Sequence, residues 1–130
     1  MFGAYGSIVP REFKFERDPS LTWTVRPTTW ADEAFLDQRL NAGYQVRYVE
    51  GVPIREVSKG VLEPVQLRIW RTFEATNIKD ENGKPYLTRD MSEEEFMARL
   101  GAMPPEMIYE IYGFVLQMNP QWDITARPNP

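Results

Sequence analysis

The sequence predicts a small α+β domain, mainly α, with about four helices and a β-hairpin at its N-terminal end. Three observations carry that expectation. Apolar side chains recur at helical spacing over residues 62–76, 92–100 and 104–118. Leu21, Trp23 and Val25 alternate with Thr22, Thr24 and Arg26 at the period of a strand. The chain has 130 residues, 42% of them hydrophobic, enough for one core and too apolar for wholesale disorder.

Taken in order, residues 1–11 read as a flexible arm. Gly3 and Gly6 loosen it, and Phe2, Tyr5 and Ile8 are free to dock on the body or on a neighbour. Phe13-Lys14-Phe15 and Leu21 to Arg26 flank Arg17-Asp18-Pro19-Ser20, a turn composition, and together predict a hairpin over 12–26. A lone hairpin is marginal in water, so its aromatic face needs a cover.

Pro27 ends the strand, and Thr28 or Thr29 caps a helix over about 29–41, with Asp32 and Glu33 in its first turn. On a helical wheel Trp30, Ala31, Ala34 and Phe35 share one side, with Leu36 and Leu40 apart. Residues 44–59 read either as a strand pair turning at Glu50-Gly51, with Pro53 confined to an edge, or as a long loop.

The stripe Leu62, Val65, Ile69, Trp70 and Phe73 predicts a helix over 62–76, with Pro64 tolerated in its first turn. Asn82-Gly83 marks a turn. Ser92-Glu93-Glu94-Glu95 is a capping box, opening a helix over 92–100 that buries Phe96, Met97 and Leu100. Pro104-Pro105-Glu106 opens the last helix, over 104–118. There Met107, Ile108, Ile111, Phe114, Val115 and Met118 make one broad apolar face. Tyr109, Tyr112 and Leu116 make a second, leaving a narrow polar strip of Glu106, Glu110, Gly113 and Gln117. Residues 12–118 form a single globular domain on this reading, and 119–130 an extended tail with Trp122 and Ile124.

Composition narrows the function classes. There is no His and no Cys, which removes the commonest general base, thiolate nucleophiles and the usual zinc ligands. The carboxylate pairs Glu33 with Asp37 and Asp90 with Glu93 read as solvated helix faces. Asp80-Glu81-Asn82-Gly83 lacks a calcium loop's first ligand, Ile78 standing in its place, and reads as a tight turn. No catalytic, cofactor or metal residue is therefore assigned.

A net charge of −4 opposes general nucleic-acid binding. The basic stretch Arg39, Arg47, Arg55 and Lys59 is interrupted by Glu50 and Glu56. No apolar run reaches the ~18 residues of a membrane span, and Met1 to Gly6 lacks the pattern of a secretory signal; without cysteines the fold needs no oxidising compartment, so the cytoplasm is the expected location. Arg outnumbers Lys eleven to four, a bias shared with protein interfaces. The candidate protein-binding residues are Tyr109, Tyr112, Leu116 and Trp122. The first three either pack under the hairpin or meet a partner, and Trp122 is either pinned to its own domain or offered to one.

The order of parts resembles the small tail assembly chaperones of long-tailed bacteriophages. The likeness rests on Trp23-Thr24-Val25-Arg26-Pro27-Thr28 leading into a helix and on Trp70 and Phe73 ahead of Asp-Glu-Asn-Gly-Lys-Pro. Further on it rests on Ser92-Glu93-Glu94-Glu95-Phe96, Met103-Pro104-Pro105-Glu106, and Asn119-Pro120-Gln121-Trp122. It is one of layout, covering about residues 12–122. It implies a non-enzymatic, often oligomeric protein of the host cytoplasm that binds the tape-measure protein and helps recruit tail-tube protein. Ending at Pro128-Asn129-Pro130, the chain would match the family's short form. Two other readings are open at this point: a structural virion subunit, a head–tail connector or neck component whose termini reach neighbouring subunits, and a small bacterial adaptor unrelated to phage.

Overall fold

β1 (Arg11–Lys14) and β2 (Thr22–Val25) pair antiparallel with Phe13 opposite Trp23, so the aromatic residues of both strands fall on one face. Phe13, Phe15, Trp23 and Val25 are all buried. The turn between the strands closes through Leu21 N–H to the Asp18 carbonyl (3.0 Å), while Asp18 Oδ1 accepts from Ser20 N (3.2 Å). The structure, a computed structural model, describes residues 2–6, 8–41, 44–49, 51–57 and 63–123. Glu50, Lys59, Leu62, Ile124 and the rest of 124–130, for which the sequence raised expectations, lie outside them.

The helix expected over 62–76 is shorter. α2 runs Glu63–Thr72 and passes without a connecting residue into β5 (Phe73–Thr76), which adds a third strand beside β2 in the order β1-β2-β5. Two interactions make the switch at Thr72. Its hydroxyl donates back to the Arg68 carbonyl (2.7 Å), and its own carbonyl leaves the helix ladder to accept from Arg26 N (2.9 Å). Phe73 is buried beside Trp23, ring centroids 4.9 Å apart. The gain over a bare hairpin is a sheet with a central strand. The ladder skips Glu74 in a bulge between Thr24 and Val25.

α1 (Trp30–Asn41) has the expected bounds and a different inward face. Trp30, Ala31 and Ala34 are exposed, Trp30 by 85%, while Asp32 and Leu36 are buried and Phe35 packs half-buried against Trp70. Asp32 causes the turn of the helix. Its Oδ2 accepts from Arg26 Nη1 (2.7 Å) and from Thr29 N (2.9 Å), and its Oδ1 from Arg71 Nε (2.7 Å) and Arg26 Nη2 (3.1 Å). Thr29, not Thr28, is therefore the cap, and Asp32 returns the bond as its capping partner. One carboxylate thus joins the ends of β2 and α2 to the start of α1.

Residues 44–49 and 51–57 take the strand-pair alternative. β3 (Tyr44–Val49) and β4 (Val52–Val57) form a separate two-stranded sheet, with Gly51 at φ +80° in the turn, a conformation glycine adopts without strain. A second turn closes at Asp80, whose Oδ1 accepts from Asn82 N (2.8 Å) and Lys84 N (2.9 Å). The Lys84 amide leads in holding this carboxyl below its ordinary range.

α3 (Glu93–Gly101) opens on Ser92, whose Oγ accepts from Glu95 N (3.1 Å). The return half of the box is not made. Glu95 turns its carboxylate to Arg99 at 3.4 Å. α4 (Pro105–Met118) crosses the aromatic face of the sheet, Phe114 stacking on Phe13 (4.8 Å, 9°) and meeting Phe15 edge-on (5.5 Å). Phe96 of α3 closes on Phe73 (5.2 Å). α2 touches α1, α3 and α4, so the helices cover the sheet with α2 central. The described residues form a small α+β domain of four α-helices with its hairpin N-terminal.

Phe114→Ala removes a ring shared by Phe13 and Phe15 and should cost about 3–5 kcal/mol, read from urea denaturation. Asp32 yields a pH prediction. Burial pushes its carboxyl up, but the Arg26 guanidinium and the Thr29 amide outweigh this and hold it well below the usual carboxylate range. A carboxyl with a depressed folded pKa contributes stability that is present above its unfolded value, about 3.9, and lost as pH falls through the folded one. Asp32→Asn should therefore cost about 2–3 kcal/mol at neutral pH. It should also give a shallower fall in stability below about pH 4 than the wild type, both measured by denaturation across pH.

Candidate protein-binding surface

Three of the four candidate residues sit on α4 and the fourth just past its end. Pro105 starts the helix where an amide would lack a partner in any case. Ile111, Phe114 and Val115 are buried, and Met107, Ile108 and Met118 pack half-buried against the same core. The narrow polar strip is not simply solvated. Glu106 pairs with Arg17, and Glu110 Oε1 accepts from Glu16 N (2.6 Å). Phe114 and these two acids meet the hairpin.

Tyr112 and Trp122 belong to one closed array. The Tyr112 hydroxyl accepts from Arg68 Nη1 (2.8 Å), and the same guanidinium lies over the Trp122 ring, 5.0 Å from its centroid. Trp122 Nε1–H donates to Glu33 Oε2 (3.3 Å) and Gln121 Nε2 to Glu33 Oε1 (2.8 Å). Asn119, buried, accepts from Thr28 N (2.8 Å) and donates to the Val115 carbonyl (3.1 Å). The first residues of the expected tail therefore form a 3-10 turn, Pro120–Trp122, tied to the start of α1, and Trp122 is pinned to its own domain. Leu116 is half-buried.

Tyr109 is the exception, 73% exposed. It forms one wall of a groove of about 290 Å³ where α2, the end of α3 and the start of α4 converge, with Val65, Leu100, Met103, Pro105 and Ile108. Leu100, Met103 and Val65 were not singled out as binding residues. No pattern marks them, because the groove is made by the angle at which α3 meets α4 through the tight turn that Met103 N closes on the Leu100 carbonyl (3.1 Å). The groove is mainly apolar, with the Tyr109 ring at its lip.

The other sequence candidates are in structural use. Glu33 holds Thr28, Gln121 and Trp122, Asp90 Oδ1 accepts from the Thr88 hydroxyl (2.5 Å), and Glu93 pairs with Arg39. The side chains of Arg47 and Arg55, and all of Lys59, fall outside the described residues.

Tyr109→Ser should move stability by less than about 0.5 kcal/mol, whereas Tyr112→Ala, which strips the Arg68 partner and half-buried ring area, should cost about 2 kcal/mol. Parallel urea titrations of the two variants read the difference. Comparison with protein-family models, with curated proteins and with solved structures gave no match.

Proposed function

We propose that this chain is a non-enzymatic tail assembly chaperone of a long-tailed bacteriophage, working in the host cytoplasm. In this reading it binds the tape-measure protein and supports recruitment of tail-tube protein, with self-association as a further property of the class. The observation that supports it is Tyr109, an exposed ring beside an apolar groove on a helix held at both ends by polar contacts. A tape-measure protein is a long helical rod with an apolar stripe. A groove of this kind takes anchor residues of such a stripe, the helix-in-groove mode of recognition. An aromatic anchor gives large contact area at small entropic cost.

The second reading, a structural subunit of the head–tail connector or neck, draws on a different observation. Phe2, Ile8 and Val9 of the N-terminal arm are all exposed, as an arm reaching a neighbouring subunit would require.

Co-expression separates the two. The chain should keep the tape-measure protein encoded beside it soluble, and Tyr109→Asp should reduce that rescue at least about tenfold without loss of its own stability. Retention of the chain in purified particles, seen by mass spectrometry, together with full rescue by the Tyr109 variant, would reject the chaperone assignment in favour of the structural one.

A further inference from the structure

A second, smaller pocket of about 110 Å³ lies where the ends of β2 and α2 approach the segment leading to α3. Its chemistry is the reverse of the groove's. Trp70, Phe73 and Phe96 form an aromatic floor, and Arg26, Arg71 and Arg89 supply the charge, with no acidic side chain in the lining. Three of the chain's eleven arginines thus gather in one place in a protein of net charge −4.

The acids nearby leave that charge incompletely balanced. Asp32 is shared between Arg26 and Arg71. Glu74 answers Arg89 at 3.1 Å, a pair that solvent screens because the Arg89 side chain is 58% exposed. Three guanidiniums against two carboxylates leave one positive charge at the pocket, beside its aromatic rings. Donors are left over as well. Asp32 engages Arg71 through Nε, leaving its terminal amino groups outside that ion pair. Asp32 and the Arg71 carbonyl, which accepts from Arg26 Nη2 at 2.6 Å, fix the two guanidiniums in place before anything binds. Preorganised guanidinium groups are the usual partners of phosphate and carboxylate. A volume of about 110 Å³ has room for one small oxyanion.

We propose that this pocket binds a single small oxyanion, presented free as inorganic phosphate or on the acidic side chain of a protein partner. The inference is independent of what the Tyr109 groove holds. The test uses the full chain in calorimetric titrations with sodium phosphate and with sodium acetate, against sodium chloride at equal ionic strength. Saturable binding of phosphate alone assigns the free-anion source, and saturable binding of acetate as well assigns the carboxylate source. Arg89→Gln should weaken either at least about tenfold. Arg89→Lys, which keeps the charge, should retain part of the affinity. Arg17→Gln, at the other ion pair beside Glu106, should leave it unchanged. The proposal is overturned by heats no different from chloride, or by equal affinity in wild type and Arg89→Gln.

Discussion

The carboxylate of Asp32 is the interaction on which the arrangement of the helices depends. It is buried, it is reached by two guanidiniums and a backbone amide, and its partners come from the end of a strand, the end of one helix and the start of another. A buried carboxylate without such partners would carry a heavy desolvation penalty. With them, α1 turns its acidic residue inward and leaves Trp30 outside. The same ion pairs fix Arg26 and Arg71 in one orientation, so the cationic pocket beside them follows from how the domain is held together.

The last helix shows how an over-apolar segment is accommodated. Most of its circumference is absorbed: Phe114 under the hairpin, Ile111 and Val115 in the core, and Tyr112 beneath Arg68 and Trp122. The remainder is one ring and the groove it borders. That is a small surface, and its value for recognition lies in rigidity. α4 is tied to the hairpin turn through Arg17 and Glu16 and to the segment before α1 through Asn119, so on the proposed reading a partner would meet a helix already in its final place.

Much of the architecture was legible from residue order. The hairpin alternation, the Ser92 cap, the Pro104-Pro105-Glu106 opening and the bounds of α1 to within a residue follow from local rules, with the last helix beginning at Pro105. Failures occurred where two periodicities give the same answer or where charge decides. Phe73 is buried whether its segment is helix or strand, so the wheel had no means of detecting the switch at Thr72. A wheel drawn from apolar residues also could not reveal that Asp32 would face inward, since that depends on Arg26 and Arg71, the latter 39 residues away. Of the candidate surface, Tyr109 was visible in the sequence. The groove beside it was not, because Val65 and Met103 meet only through the packing of three helices.

The direct passage from α2 to β5 has a mechanical meaning. With no spare residue between Thr72 and Phe73, sliding the helix by even one residue's rise, about 1.5 Å, would drag the outer strand out of register with Trp23 and Val25. Helix and strand must therefore move together or not at all. A push on the inner helix is delivered undamped to the aromatic layer, as through a stiff rod rather than a tether.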